Sequence, residues 1–152
     1  MRKKCRRKIW SKVNPIEYAM TGAAITNEKL LDQVRLKELT AIESMIKGQG
    51  TIDDWRTIVD IMNIAETMAH NGIGVELIEI CEAVQKELES AANRYQNTRK
   101  MGLTGLGIKN VKKLYQLHDL QRTSISRTEY ERMIEKTMNY IRSNHHRVVN
   151  IV

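Results

Sequence analysis

Apolar residues in this chain recur every three or four positions in one segment after another, the signature of helices that each bury one face. Asn14-Pro15 is the first start signal, because proline at the first helical position loses no needed N–H. It opens a short segment, Ile16 to Met20, ending near Gly22. Thr26 can cap the next helix, with Glu28 in its first turn, and Leu31, Val34, Ala41, Ile42 and Met45 supply its stripe up to Gly48 and Gly50. Thr51-Ile-Asp-Asp54 reads as a capping box with aspartate in the place usually held by glutamate. Behind it Trp55, Ile58, Val59, Met62, Ala65 and Ala69 line one face until Asn71-Gly72. The longest run follows, with Leu77, Cys81, Val84, Leu88, Ala91 and Tyr95 in a 4-3-4-3-4 seam and Glu79, Glu82, Lys86, Glu87 and Glu89 opposite.

The looser stretch from Arg99 to Gly107 holds three glycines and reads as an internal hinge. Helical periodicity restarts with Ile108, Val111, Leu114 and Tyr115 and continues to about Arg122. Ser126-Arg-Thr-Glu129 is a second capping box, opening a last helix that uses Tyr130, Met133, Ile134, Met138 and Ile141. Val148 to Val152 is too short to assign, and no segment alternates with period two for long enough to make a strand. The expectation is an all-α bundle of about five main helices, with a three-helix middle and a C-terminal helical hairpin. The boundaries that follow are an arm over residues 1–12, a helical core over 13–98, the hinge over 99–107 and the hairpin over 108–152.

Composition narrows the class. A chain of 152 residues with 41% apolar and 28% charged residues is the size of one folded domain, and argues against wholesale disorder. No apolar run approaches the roughly 18 residues needed to span a bilayer, and no signal-peptide core follows the basic start. Two isolated cysteines make no disulfide framework and no zinc spacing, so a reducing, cytoplasmic setting is expected.

The net charge of +7 matters once it is located. Residues 1–12 carry Arg2, Lys3, Lys4, Arg6, Arg7, Lys8 and Lys12 with no acid. Residues 13–108 hold nine basic against fourteen acidic side chains, and residues 109–152 hold nine against four. The chain therefore has a basic arm, an acidic middle and a basic end. The arm is too dense in like charge to form a folded face, and its natural partner is a polyanion. Trp10, just behind it, could stack on a base or pin the arm to the core. The plain alternative is a solvated tail.

Catalytic chemistry is not apparent. Glu66 and His70 share one helix face, but two ligands are too few for a metal and an i,i+4 polar pair is the simpler reading. His145-His146 lies near the chain end. Cys81 sits on the apolar seam, where a thiol acts as a small hydrophobe. Cys5, among six cations, would have a depressed pKa, which the charge alone explains. No enzyme, metal or cofactor is expected from these residues.

The glycines carry a sharper possibility. Gly102-Leu-Thr-Gly105-Leu-Gly107 lacks the spacing of a dinucleotide fingerprint. Leu103 to Leu114 nevertheless resembles the hairpin of helix-hairpin-helix DNA-binding motifs, in which a Gly-apolar-Gly turn meets a phosphate at a helix N-terminus. That resemblance implies phosphate contacts from Lys109, Lys112 and Lys113 on the following turn. Gly72-Ile73-Gly74 repeats the turn, but Glu76 and Glu79 follow it and would repel a phosphate. Helix termination and a tight corner explain both glycine pairs without a ligand.

Across its length the chain shows Arg2-Lys3-Lys4 leading to Asn14-Pro15, then Gly48-Gln-Gly50-Thr51-Ile-Asp-Asp54-Trp55, Asn63-Ile-Ala-Glu66, Gly72-Ile-Gly74 and His118-Asp-Leu-Gln121. In these it is similar to a group of small helical proteins encoded by bacteriophages and prophages. The resemblance implies a setting, a host bacterial cell, and no activity. Small phage proteins without catalytic residues commonly occupy a host component, inhibitors of defence complexes such as anti-CRISPR proteins among them. Three functions compete. The first is a non-enzymatic protein docking on a nucleic acid or nucleoprotein through its basic arm and basic end, in its most concrete form a defence inhibitor. The second is a DNA-binding regulator using the Gly105-Leu-Gly107 corner. The third is a protein–protein adaptor working as a helical homodimer, which would use the acidic helix beginning at Leu77 and leave the arm idle.

Overall fold

The computed structural model describes residues 28–143 and places in them five helices: α1 (Glu28–Ile46), α2 (Ile52–His70), α3 (Leu77–Thr98), α4 (Gly105–Thr123) and α5 (Arg127–Arg142). No strand occurs among the described residues, and the architecture is an all-α bundle. The arm over residues 1–12, the short segment after Asn14-Pro15, the Thr26 cap, His145-His146 and Val148 to Val152 lie outside them.

Helix α2 is the centre, packing on α1, α3, α4 and α5. This explains why it buries more than the single stripe its sequence suggests. Trp55, Ile58, Met62, Ala65 and Ala69 face the main core as expected, Val59 is half-buried, and Ile61 and Met68 are buried as well. Met68 joins a second, smaller cluster with Ile73, Ile125 and Met133, which α5 closes. The seam of α3 is buried from Leu77 through Ala91, with Tyr95 partly covered. A fully buried side chain of the Leu, Ile or Met kind contributes about 1.5–3 kcal/mol. Trp55 is buried with its indole N–H satisfied, donating to the Leu88 carbonyl at 2.9 Å.

Local chemistry sets the helix ends. The Thr51 box is complete: Asp54 N–H donates to Thr51 Oγ1 at 3.1 Å, and Thr51 N–H donates to the Asp54 carboxylate at 2.9 Å. At Ser126 only half of the expected box forms. Ser126 Oγ accepts from Glu129 N–H, while the Glu129 carboxylate turns outward to Arg132. Helix α3 ends on Arg99 in the left-handed region (φ 57°), with the Arg99 N–H donating to the Tyr95 carbonyl at 2.8 Å.

Two expectations change form. The stretch read as a hinge over 99–107 is a strapped corner. Gly50 N–H donates to the Met101 carbonyl and Leu103 N–H to the Met45 carbonyl, Met101 is buried, and Gly105 and Gly107 already belong to the first turn of α4. The C-terminal hairpin is reduced to its short connection and a contact of Tyr130 on α5 with His118 on α4. Helix α4 packs on α3, α2 and α1 as a full member of the core, and α5 packs mainly on α2, with little contact to α4. The missing information was which apolar face each helix would meet.

Candidate nucleic-acid interface

Lys109, Lys112 and Lys113 stand at i, i+3 and i+4 on α4, so helical geometry puts them on one side. All three are exposed, and none forms an ion pair with a described residue. The inner side of the same helix holds Gly107, Val111, Leu114 and His118 in the core. Arg2, Lys3, Lys4, Arg6, Arg7, Lys8 and Trp10, the arm half of the expected interface, lie outside the described residues.

The glycine corner is closed by the protein itself. Thr104 caps α4, its Oγ1 accepting from Gly107 N–H at 3.1 Å. The Glu87 carboxylate sits over this first turn, accepting from Thr104 N–H at 2.7 Å and from the Thr104 hydroxyl at 2.9 Å. Arg94 holds it from behind at 3.3 Å while donating to the Gly102 carbonyl at 3.0 Å. A Cβ on Gly107 would overlap the Glu87 carboxyl group, so any larger residue there must displace Glu87 from its bonds to Thr104. The helix dipole thus receives its negative charge from α3, where the helix-hairpin-helix resemblance would put a phosphate. Gly74 has a comparable packing reason: at φ +69° it lies against the Gln121 side chain.

What fixes α4 is a buried polar network that hydrophobic periodicity could not reveal. Arg122, with a side chain 2% exposed, donates to Glu38 Oε1 at 2.6 Å and, through Nε, to Asp119 Oδ1 at 2.8 Å. Its Nη2 is 2.7 Å from the same Asp119 oxygen but poorly aligned for a hydrogen bond. Arg35 clamps Asp119 from α1 with two bonds of 2.9 Å. Burial works against the Arg122 charge, but Glu38 and Asp119 outweigh it and hold the guanidinium above its ordinary pKa. Burial likewise opposes the Asp119 charge, and the bonds from Arg35 and Arg122 still keep its carboxyl below the usual range. Burial pushes Glu38 up against the pull of Arg122.

Beside this network His118 is fully buried and neutral, pushed down to about 4 by burial and then by the Arg122 charge. Its Nδ1 faces Gln121 Oε1 at 2.9 Å, so that nitrogen carries the proton and donates. Gln121 in turn donates to the carbonyls of Ala65 and Ile73 at 3.1 and 2.7 Å. Hydrogen-bonded groups of this sort tie α4 to α1, α2 and the α2–α3 turn. They position the lysine face, with Glu38, His118, Gln121 and Arg122 buried and Arg35 and Asp119 half-buried at the network's outer end.

Between α1 and α4 runs a groove of about 650 Å³. Leu39, Ile42 and Ile46 line it from α1 and Tyr115 from α4. Lys112 and Gln116 edge it on the α4 side, and Glu43, paired with Lys47 at 2.8 Å, edges it on the α1 side. The Arg122 guanidinium lies 5.9 Å from the Tyr115 ring centroid.

The remaining candidates have local explanations. Glu66 and His70 form the expected i,i+4 pair at 3.4 Å. Cys81 is a buried thiol on the seam, directed at the Met62 carbonyl. Among the described residues no group of three His, Cys, Asp or Glu side chains could hold a metal ion, and no helix is long and apolar enough to cross a membrane. No protein-family model matches the chain, and no curated protein or solved structure does either.

Proposed function

We propose that this chain is a non-enzymatic binding protein whose partner is a polyanion, a nucleic acid or a nucleoprotein complex. The observation that carries the reading is the lysine face of α4: three cations on one side of a rigidly held helix, none paired with a described residue. The arm supports it with seven further positive charges in twelve residues. Docking of this kind makes no covalent bond. Lysines neutralise phosphates and release counterions, while the bundle keeps their spacing. In the phage setting implied by the sequence resemblance, the concrete form of this function is occupation of a host nucleoprotein, and so inhibition of a defence complex. The regulator reading loses support from the geometry, because the Glu87 carboxylate fills the corner where its phosphate would bind.

The test is nucleic-acid binding by the full chain across a salt series, with Lys109, Lys112 and Lys113 changed together to alanine. Loss of three phosphate contacts should flatten the logarithmic salt slope by roughly 2–3, at about 0.9 per phosphate on duplex and about 0.7 on single strands. The melting temperature should hold, since all three side chains are exposed. An unchanged affinity and slope would remove α4 from the interface. Recovery of partner from host lysate that withstands nuclease, with no direct nucleic-acid binding, would assign the surface to a protein instead.

A further inference from the structure

We propose that the groove between α1 and α4 is a stacking site for a base of single-stranded nucleic acid, with Tyr115 as the stacking surface and Lys112 as the adjoining phosphate contact. The inference rests on the polyanion reading above and names the form of nucleic acid. A stacking site needs a held aromatic surface, an apolar pocket beside it and a cation at backbone distance. The groove combines all three. Leu39, Ile42 and Ile46 supply apolar wall, Tyr115 lines the opposite side, and Lys112 stands on the rim without an ion pair among the described residues. Lys109 and Lys113 continue the positive charge along the outer face of α4, the path a backbone would follow.

The ring is set in place before any ligand arrives. Tyr115 packs partly buried against the main core, with the Arg122 guanidinium 5.9 Å from its ring centroid, which limits the cost of ordering the aromatic group on binding. The Glu43 carboxylate on the α1 rim would repel a phosphate if bare, but Lys47 offsets it at 2.8 Å. Gln116 can donate to and accept from a base edge. A duplex keeps its bases stacked inside and could use only the lysines. Single strands offer free faces to the ring.

The experiment measures binding of the full chain to a labelled oligothymidylate and to a duplex of the same length, with wild type, Tyr115→Leu, Tyr115→Phe and Lys112→Ala. Leucine keeps apolar volume and removes the ring. Tyr115→Leu should weaken single-strand binding roughly 5- to 150-fold with its salt slope retained, while duplex binding stays near wild type. Tyr115→Phe should bind like wild type, and Lys112→Ala should lower the single-strand slope by about 0.7. In the unsubstituted chain, the Tyr115 ring resonances should shift on titration with the oligothymidylate, a readout independent of how any variant folds. Resonances that stay put, or a folded Tyr115→Leu that binds the single strand like wild type, would overturn the stacking site and leave the polyanion reading standing. A wild-type chain that binds neither nucleic acid would overturn both. Loss in Tyr115→Leu of binding to an acidic amphipathic peptide, with strand binding unaffected, would give the groove to a protein partner.

Discussion

His118 shows what burial does to one side chain. It is enclosed at 0% exposure, donates from Nδ1 to Gln121, and has Tyr130 Oη 3.4 Å from Nε2. Its pKa of about 4 lies below the ordinary histidine value of 6.5. Between these values the unfolded chain takes up a proton that the folded chain refuses. The stability this histidine contributes is therefore complete above pH 6.5 and is lost as pH falls toward 4. Between pH 7 and pH 5 the loss should be about 2 kcal/mol. Glu38 acts in the opposite sense, because its raised pKa favours the folded state at lower pH. Comparing urea unfolding of wild type and His118→Gln at both pH values cancels that shared contribution. Equal pH dependence in the two proteins would mean that His118 keeps the ordinary histidine pKa in the fold and is solvated there. Neither His118 nor the Glu38–Arg122 pair was legible as core from sequence. Charged side chains enter a core only where partners from other helices neutralise them, and α1 and α4 are 84 positions apart at that pair.

Among the elements, α4 departs most from its sequence reading. Its capped start is legible in Thr104 only once the helix is known to begin at Gly105, because a Gly-Leu-Gly opening lacks the apolar period that marks helices elsewhere. The structure supplies the reason for glycine at 107: close approach of the Glu87 carboxylate to the helix start. A double-mutant cycle checks this. Gly107→Ala alone should destabilise by about 1–2 kcal/mol, because it displaces Glu87 from Thr104 and leaves those donors without a charged acceptor. With Glu87→Ala already present, the same change should become neutral or favourable by about 0.5–1 kcal/mol, the ordinary gain of alanine over glycine inside a helix. Additive effects in thermal or urea melts would show that the two residues do not meet. By contrast, the Thr51 box and the α3 seam were readable directly, since both depend on residues within one helix.

At the scale of the whole molecule, positive charge is concentrated in the first twelve residues of the sequence. Residues 2–8 hold six cations, and their removal takes the net charge from +7 to about +1 while leaving intact the buried clusters of the described residues. Circular dichroism and the melting temperature should therefore be nearly unchanged in the truncated chain. Its nucleic-acid affinity should fall steeply, with a salt slope shallower by roughly 3–5 if four to six phosphates are engaged. A truncated chain with wild-type affinity and slope would make the arm a solvated tail and leave the α4 lysines as the only interface.

Sequence alone determined the helical class, the caps at Thr51 and Ser126, the buried seam of α3 and the placement of positive charge, because each depends on spacing within a few turns of one chain segment. Tertiary structure alone decided that α2 is central, that the glycine stretch is strapped down, that α5 packs mainly on α2, and that Glu38, His118, Gln121 and Arg122 are interior. Those outcomes depend on which helix faces meet across many tens of residues, and periodicity states that a face is apolar without stating what covers it. The groove beside Tyr115 belongs to the same class: its lining comes from α1 and α4, two helices far apart in sequence.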